Sequence, residues 1–103
     1  MINMENKKVI VYVDDNFHHM DESYRYRAGE YNTLEEAIEA CKIITENSMD
    51  GVYLPNISVE ELIRRYRFFG EDPWIYSEQK GIHFSAWTYV EREAENYIKR
   101  KMV

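Results

Sequence analysis

The sequence predicts an α+β fold: a small two-layer domain in the order β-β-α-α-β-α, with helices packed on an antiparallel or mixed three-stranded sheet. Two short N-terminal segments rich in β-branched and aromatic residues predict the first strands. Two later segments open with Thr or Ser, carry Glu three residues on, and then repeat apolar residues at helical spacing. Because 103 residues suit one core, we expect residues 1–103 to form a single domain, with residues 1–6 as a flexible N-terminal tail.

The first two strands are expected at Lys7–Val13 and at residues 23–31. The first, KKVIVYV, is apolar on both alternating faces, as in a central strand. The second, SYRYRAGEY, places Tyr24, Tyr26 and Ala28 on one face and its arginines on the other, which predicts a half-buried strand.

The first helix is expected to begin after Thr33, which forms a capping box with Glu36. Its apolar stripe should be Leu34, Ala37, Ile38, Cys41 and Ile44. The segment MDGVYLPN, with Gly51 and Pro55, should end it.

The second helix is expected to begin with another capping box, Ser58 with Glu61. Its inward stripe should be Val59, Leu62, Ile63, Tyr66 and Phe69. Gly70 should stop it in a left-handed conformation, EDP should turn the chain, and a third strand should run over Trp74–Ser77.

The last helix is expected to begin at Ser85 or Ala86, with Phe84 packing against Tyr89 or Val90 as a hydrophobic staple. The residues that should face inward are Trp87, Val90, Ala94, Tyr97 and Ile98.

Composition restricts the class of protein. A formal net charge of −6 argues against nucleic-acid binding, which normally needs a basic face. No run approaches the roughly 20 apolar residues of a membrane span, so we expect no membrane partner. The single cysteine, Cys41, lies within a helical stripe and should be buried; with no apolar leader, this predicts a cytoplasmic protein.

The segment DDNFHHMDE, residues 14–22, gathers four carboxylates and two histidines. Its spacing fits no calcium loop or zinc motif, and adjacent histidines diverge in regular structure. We therefore predict a structural connection without metal or cofactor, anchored by Phe17 and Met20. The alternative is a metal or catalytic site at Asp14, Asp15, His18 and His19, which requires a helical turn to join Asp14 to His18 or Asp15 to His19.

No nucleophile elbow, phosphate-binding loop or dinucleotide fingerprint is present, so no catalytic residue is assigned and the sequence argues against an enzyme. Nine Tyr, four Phe and two Trp exceed the needs of one small core, and such residues are enriched at interfaces. We therefore expect a protein-binding or self-associating module, with a protein partner or a second copy of the chain. The expected binding residues are Phe17, His18, His19, Tyr24, Tyr26, Trp74 and Tyr76. A weaker alternative is RNA binding through Arg25 and Arg27, with tyrosines as stacking faces.

Four motifs, DDNFHHMDES, GEYNTLEEAIEACKII, FGEDPWI and FSAWTYVERE, occur in this order. Through them the chain resembles a family of short bacterial proteins that read approximately D-D-x-[FY]-x-x-M-D-E, G-E-[FY]-x-T-x-E-E-A, F-G-E-D-P-[FW]-I and F-S-A-W-x-Y. The resemblance runs from about Val11 to about Glu95 and departs at Trp74, where the family more often has Phe. It implies a bacterial, cytoplasmic, self-contained domain. The family has no established activity, so the resemblance implies no catalytic residue or cofactor.

Overall fold

A computed structural model describes residues 8–18, 20–79 and 81–102 of the chain. The predicted α+β architecture and element order are confirmed, and the sheet is antiparallel. Its elements are β1 (Val9–Asp15), β2 (Tyr26–Tyr31), α1 (Leu34–Val52), α2 (Val59–Phe69), β3 (Glu71–Tyr76) and α3 (Ala86–Lys101), with 3₁₀ turns at Asn16–His18 and Glu22–Tyr24. The expected N-terminal tail lies outside the described residues.

The strand order is β2-β1-β3, so the apolar first strand is central, as its composition predicts. Val9, Val11 and Val13 are buried on the face that packs against the helices. Ala37 and Cys41 of α1 pack on Val9 and Val11. Burial of the Cys41 side chain raises the pKa of its thiol to about 12, which makes it a packing residue as expected.

A second core cluster joins the three helices, with Met49 of α1, Leu62 and Tyr66 of α2, and Val90 and Tyr97 of α3. The predicted stripe of α1 was too short at its C-terminal end, because the helix continues through Gly51 to Val52. Tertiary burial of Met49 and Val52 outweighs the weak helix propensity of one exposed glycine.

The helix N-termini follow the sequence, with one difference. Thr33 and Glu36 form the predicted reciprocal capping box. Ser58 caps α2 by accepting from the Glu61 N–H, but the Glu61 carboxylate bonds Arg64 instead of reaching back. The second capping box is therefore only half formed.

α3 begins at Ala86 with Ser85 as its cap, and Phe84 lies 5.7 Å from Tyr89 between ring centroids, as the predicted staple requires. Trp87, expected to face inward, is 41% exposed. Tyr89 takes an inward position and donates a hydrogen bond to Glu46.

β3 begins at Glu71, three residues earlier than predicted. The sequence EDP predicts a turn, but these residues belong to an edge strand, and the edge of a sheet is where proline is tolerated. Gly70 also differs from its prediction, since its φ is −83° rather than positive. What requires glycine there is space, because a Cβ would lie 2.4 Å from the ring of the buried Tyr66.

β2 is more exposed than its half-buried pattern predicted, and Tyr24 precedes it in the second 3₁₀ turn. A bulge at Ala28 explains part of the difference. Val11 pairs with Gly29 but Tyr12 pairs with Arg27, so the extra residue shifts the alternation of side chains.

Among the described residues, none of the helices combines the length and apolar composition that crossing a bilayer requires.

Candidate functional site

A cavity of about 280 Å³ lies at the end of the sheet where β1 finishes. The connection between β1 and β2 forms most of its wall, and β3 and α3 complete it. Its lining residues are Asp14, Asp15, Asn16, His18, Met20, Asp21, Glu22, Arg25, Asp72 and Trp87. The acidic segment that the sequence singled out therefore faces a cavity rather than only connecting two strands.

Asp15 and His18 form a pair within this segment. Asp15 Oδ2 lies 2.9 Å from His18 Nδ1, and Asp15 Oδ1 accepts a hydrogen bond from the Phe17 N–H. The first 3₁₀ turn has three residues per turn, so it aligns residues three apart. The sequence hypothesis assumed an α-helical turn and joined Asp14 to His18; that pairing is wrong. The other pairing involved His19, which lies outside the described residues.

The His18 ring is also fixed by aromatic neighbours. It stacks on Tyr24 with centroids 3.7 Å apart and planes within 6°, and Phe17 meets it edge-on at 5.0 Å. Burial alone would raise the pKa of Asp15, but the hydrogen bonds from His18 and from the Phe17 N–H bring that pKa below its usual value. Asp15 is therefore ionised at neutral pH and orients the imidazole.

Asp14 is held by Arg25, whose guanidinium donates to both carboxylate oxygens at 2.6 and 3.3 Å. The same guanidinium lies 5.0 Å from the ring centroid of Trp74 on β3. Arg25 thus spans the sheet beneath the cavity, and both its charge and its donors are engaged within the chain.

Asp72 is the least satisfied carboxyl group at the cavity. It lies directly opposite Asp14 in the β1–β3 register. Burial, followed by the negative charge of Asp14, raises the pKa of Asp72 to about 6. Asp14 accepts hydrogen bonds from Arg25, which stabilise its ionised form. Hydrogen bonds from the described residues do not contribute to the pKa of Asp72, so its ionised form is not stabilised in this way.

The described part of the chain contains no group of three or more His, Cys, Asp or Glu side chains that could hold a metal ion. The two aspartates at the end of β1 have different partners: Asp14 forms an ion pair with Arg25, and Asp15 pairs with His18. What remains is one carboxylate–imidazole pair, which is fewer ligands than a structural or catalytic zinc site uses.

The connection is fastened to the C-terminal end of α2 by Asn16. Its backbone N–H donates to the Gly70 carbonyl at 3.0 Å, and its side-chain amide donates to the Tyr66 carbonyl at 3.1 Å. Asn16 thus bonds two carbonyls at this helix end, and the Tyr66 carbonyl also accepts a hydrogen bond from the Gly70 N–H. Trp87 donates to the Asn16 side chain at 3.3 Å, which brings α3 to the same place.

This attachment brings three phenylalanines together on the surface, and we call Phe17, Phe68 and Phe69 the Phe cluster. Phe17 stacks on Phe69 at 5.6 Å, and Phe69 lies 6.2 Å from Phe68. Their exposed fractions are 61%, 56% and 54%. The sequence expectations that Phe17 anchors its loop and that Phe69 faces inward are therefore wrong.

Met20 was the other expected anchor and is 91% exposed. It has a φ of 70°. The connection is instead held by hydrogen bonds of Asn16 and Asp15 and, at its surface, by Asp21, which accepts hydrogen bonds from the Ser23 N–H and hydroxyl. Polar contacts therefore stabilise this connection, where the sequence predicted apolar anchors.

The sheet face opposite the helices forms a second aromatic surface. The register places Ile10 between Glu30 and Tyr76, and Tyr12 between Arg27 and Trp74. We call these six side chains the open face. Tyr12 stacks on Trp74 at 5.2 Å, and Tyr76 is 53% exposed.

The predicted binding residues therefore divide among different places. His18 lines the cavity and its ring contacts Phe17 and Tyr24, whereas Trp74 and Tyr76 lie on the open face. Tyr26 belongs to neither set, because the bulge turns it to the other side, where its hydroxyl lies 3.2 Å from both carboxylate oxygens of Glu71.

The RNA hypothesis required free arginines beside stacking tyrosines. Arg25 is engaged by Asp14, Tyr24 stacks on His18, and Tyr26 lies on the face away from Arg27. The arginines and the two tyrosines do not form one surface.

Sequence reasoning missed three exposed aromatic residues: Phe68, Phe69 and Trp87. One signal was available for the first two. Adjacent residues in a helix point about 100° apart, so Phe68 and Phe69 cannot both occupy the centre of one buried stripe. For Trp87 no local signal existed, since its exposure depends on where the β1–β2 connection lies.

Comparison with protein-family models, with curated proteins and with solved structures finds no match to this chain, so the resemblance to short bacterial proteins stays a prediction.

Proposed function

We propose that the protein is a protein-binding module whose binding surface consists of the Phe cluster and the acidic rim of the adjoining cavity. The observation that carries this proposal is the Phe cluster itself: three contiguous phenylalanine rings, each more than half exposed. Contiguous exposed apolar side chains on a small domain mark an interaction site more often than isolated ones do.

The rings are held in place before any partner arrives. Phe17 rests on Phe69 and on His18, and Arg65 lies 6.0 Å from the Phe69 ring centroid. A fixed aromatic surface loses little conformational entropy on binding, which favours affinity.

The charge beside the Phe cluster indicates the chemistry of the partner. Asp21 and Glu22 are exposed at the cavity rim, and the chain carries a net charge of −6. A partner segment that presents an apolar side chain to the rings and a Lys or Arg side chain to the rim would match both features. The overall negative charge would also speed its approach.

A displayed library of random peptides tests this proposal. We expect the selected peptides to combine aromatic or aliphatic residues with Lys or Arg. Titration calorimetry should then show that the double variant Phe17→Ser, Phe69→Ser loses binding by about tenfold or more. Ile82→Ser is the matched control, because Ile82 is 89% exposed but lies outside the Phe cluster. Peptides that bind the double variant and the native chain equally well would overturn the proposal.

A second candidate, an enzyme, is favoured by the Asp15–His18 pair. A carboxylate that orients an imidazole is a common arrangement for general base catalysis, and Asp72, with a pKa of about 6, shares the cavity. No described residue that lines the cavity is Ser, Thr, Cys or Lys, so this candidate would act on a bound water. Hydrolysis of a panel of nitrophenyl esters and phosphates that disappears in His18→Gln would support it. Equal rates in both proteins would remove it.

A further inference from the structure

Another cavity, of about 360 Å³, lies between α1, α3 and the segment that leads into α3. Three basic side chains line it: Lys42 of α1, Arg92 of α3 and His83 of the leading segment. We call this cavity the basic groove. Its volume falls in the range of about 300–1,000 Å³ that is typical of small-molecule sites.

The charge of the basic groove is opposite to that of the chain. The protein contains 19 acidic residues against 13 Lys and Arg, and several carboxyl groups line the cavity at the end of the sheet. By contrast, none of the described residues that line the basic groove is Asp or Glu. A local positive region on an acidic protein favours an anionic ligand.

These positive charges are only partly neutralised within the chain. No ion pair joins Lys42 to the described residues, and Glu46, one turn further along α1, accepts a hydrogen bond from Tyr89. Arg92 contacts Glu93 at 3.4 Å through Nε, so its terminal nitrogens have no acceptor in the part of the chain that the structure describes. An exposed pair of this kind is weak, so Glu93 competes little with a ligand.

Aromatic rings position the Arg92 guanidinium. It lies 5.5 Å from the ring centroid of Tyr89, which lies 5.7 Å from that of Phe84. Tyr89 is buried, and its hydroxyl is fixed by Glu46. Ile38 of α1 adds an aliphatic side chain to the lining. The basic groove therefore places cations beside apolar side chains, which suits a ligand with an anionic and an apolar part.

Hydroxyl groups supply further hydrogen-bond donors. Ser85 and Thr88 line the basic groove, and the Ser85 oxygen accepts from the Thr88 N–H. The hydroxyl protons of both residues have no acceptor among the described residues. His83 Nε2 lies 3.2 Å from the Gln79 carbonyl, which can only accept, so this nitrogen carries a proton. Anionic oxygens accept hydrogen bonds from several such donors at once.

We propose that the basic groove binds a small organic anion, in which a carboxylate or phosphate is attached to a compact apolar group. Lys42 and Arg92 pair with the anionic oxygens from two different helices. Phe84 and Ile38 contact the apolar group. No residue of the basic groove lines the acidic cavity or belongs to the Phe cluster, so this binding site is separate from the proposed protein-binding surface.

Phenyl phosphate and benzoate are the probes, each titrated into isotope-labelled protein at constant ionic strength and followed by amide chemical shifts. Ligands of about ten non-hydrogen atoms reach about millimolar affinity, so titration to about 10 mM should saturate the site for at least one probe. The shifts should centre on Phe84, Ser85 and Thr88. Inorganic phosphate, which lacks the apolar group, should bind about threefold or more weakly than phenyl phosphate. The tighter probe identifies the anionic group.

Lys42→Gln and Arg92→Gln should each raise the Kd of that probe by about fivefold or more, because each removes a charge-assisted contact. Lys99→Gln is the matched control, since it removes a similarly exposed charge from α3 outside the basic groove and should leave the Kd unchanged. Circular dichroism verifies folding. Arg92 is 62% exposed, so its variant is expected to fold and to decide the matter even if Lys42→Gln does not fold.

The absence of saturable shifts with both probes would overturn the proposal, as would equal Kd values for the native chain and the two variants. Inorganic phosphate that binds as tightly as phenyl phosphate would overturn the role of the apolar lining. An Asp- and Glu-rich peptide that binds where neither probe does would mean that the groove receives a protein segment, which also contradicts the proposal. None of these substitutions touches the Phe cluster, so the two proposals fail independently.

Discussion

At the scale of single residues, two positions are determined by their surroundings: the size of the side chain at position 70 and the ionisation of Asp72. Gly70 has ordinary extended backbone, yet no larger residue fits, because the Tyr66 ring and the Ser48 hydroxyl occupy the space a Cβ would take. Asp72 is partly buried next to Asp14, so its ionisation opposes folding.

Gly70→Ala should lower the free energy of unfolding by about 1–3 kcal/mol, as overpacking in a core does. The Cβ would lie 2.8 Å from Ser48 Oγ, which accepts the hydrogen bond from the Glu71 N–H. Gly51→Ala is the control: a Cβ there meets nothing within 4 Å, and a helical alanine should stabilise by about 0.5–1 kcal/mol. Urea denaturation of both variants measures the difference, and a neutral Gly70→Ala would contradict the packing explanation.

Asp72→Asn should stabilise the protein at neutral pH. The pKa of Asp72 is about 6 in the folded chain and near 3.8 when unfolded, so the folded state binds its proton more tightly. The free energy of unfolding therefore falls as pH rises from about 4 to 6 and is constant above that range. For a fully buried carboxyl this difference in pKa would correspond to roughly 2.7 kcal/mol, and partial solvent contact reduces the effect of Asp72 to about 1–2 kcal/mol.

Denaturation at micromolar concentration should show this gain at pH 7 and its disappearance near pH 4. A gain of the same size at both pH values would mean that the amide acts through packing and not through charge.

At the scale of elements, the helices could be predicted from sequence because their determinants are local. Thr33 with Glu36, and Ser85 with Phe84 before it, specify helix starts within a few residues. The start of β3 could not be predicted, because Pro73 is a turn signal locally and is compatible with a strand only at a sheet edge, which is a non-local property.

The two capping sites differ in one testable respect. Glu36 accepts hydrogen bonds from the Asn32 and Thr33 N–H groups, whereas the donor to the Glu61 carboxylate among the described residues is Arg64. Glu36→Ala should therefore destabilise the protein by about 0.5–1 kcal/mol more than Glu61→Ala. Both glutamates occupy the same position near a helix N-terminus, so their effects on the helix dipole cancel in the comparison. Equal Tm values for the two variants would contradict the difference.

At the scale of the whole molecule, the candidate site arises from contacts between distant parts of the chain. Asn16 joins the β1–β2 connection to the end of α2, fifty residues away, and this contact places Phe17 on Phe69. The sequence indicated that DDNFHHMDE was unusual and that aromatic residues were in excess. It could not indicate which rings would meet, because that depends on sheet register and on helix packing.

The two surfaces of the molecule also have different chemistry. The Phe cluster adjoins exposed carboxylates, whereas on the open face the charge of Arg27 is paired with Glu30 of the same strand, 3.4 Å away. The proposed partner, with apolar and basic side chains, matches the chemistry of the Phe cluster and not that of the open face.

The most direct test of the central claim is a map of amide chemical-shift changes when the most strongly selected library peptide is added to labelled protein. We expect the largest changes at Phe17, Phe68 and Phe69 and at the rim residues Asp21 and Glu22, with little change at Glu30 or Tyr76. Changes centred on the open face, or spread evenly over the chain, would contradict the claim that the Phe cluster is the binding surface.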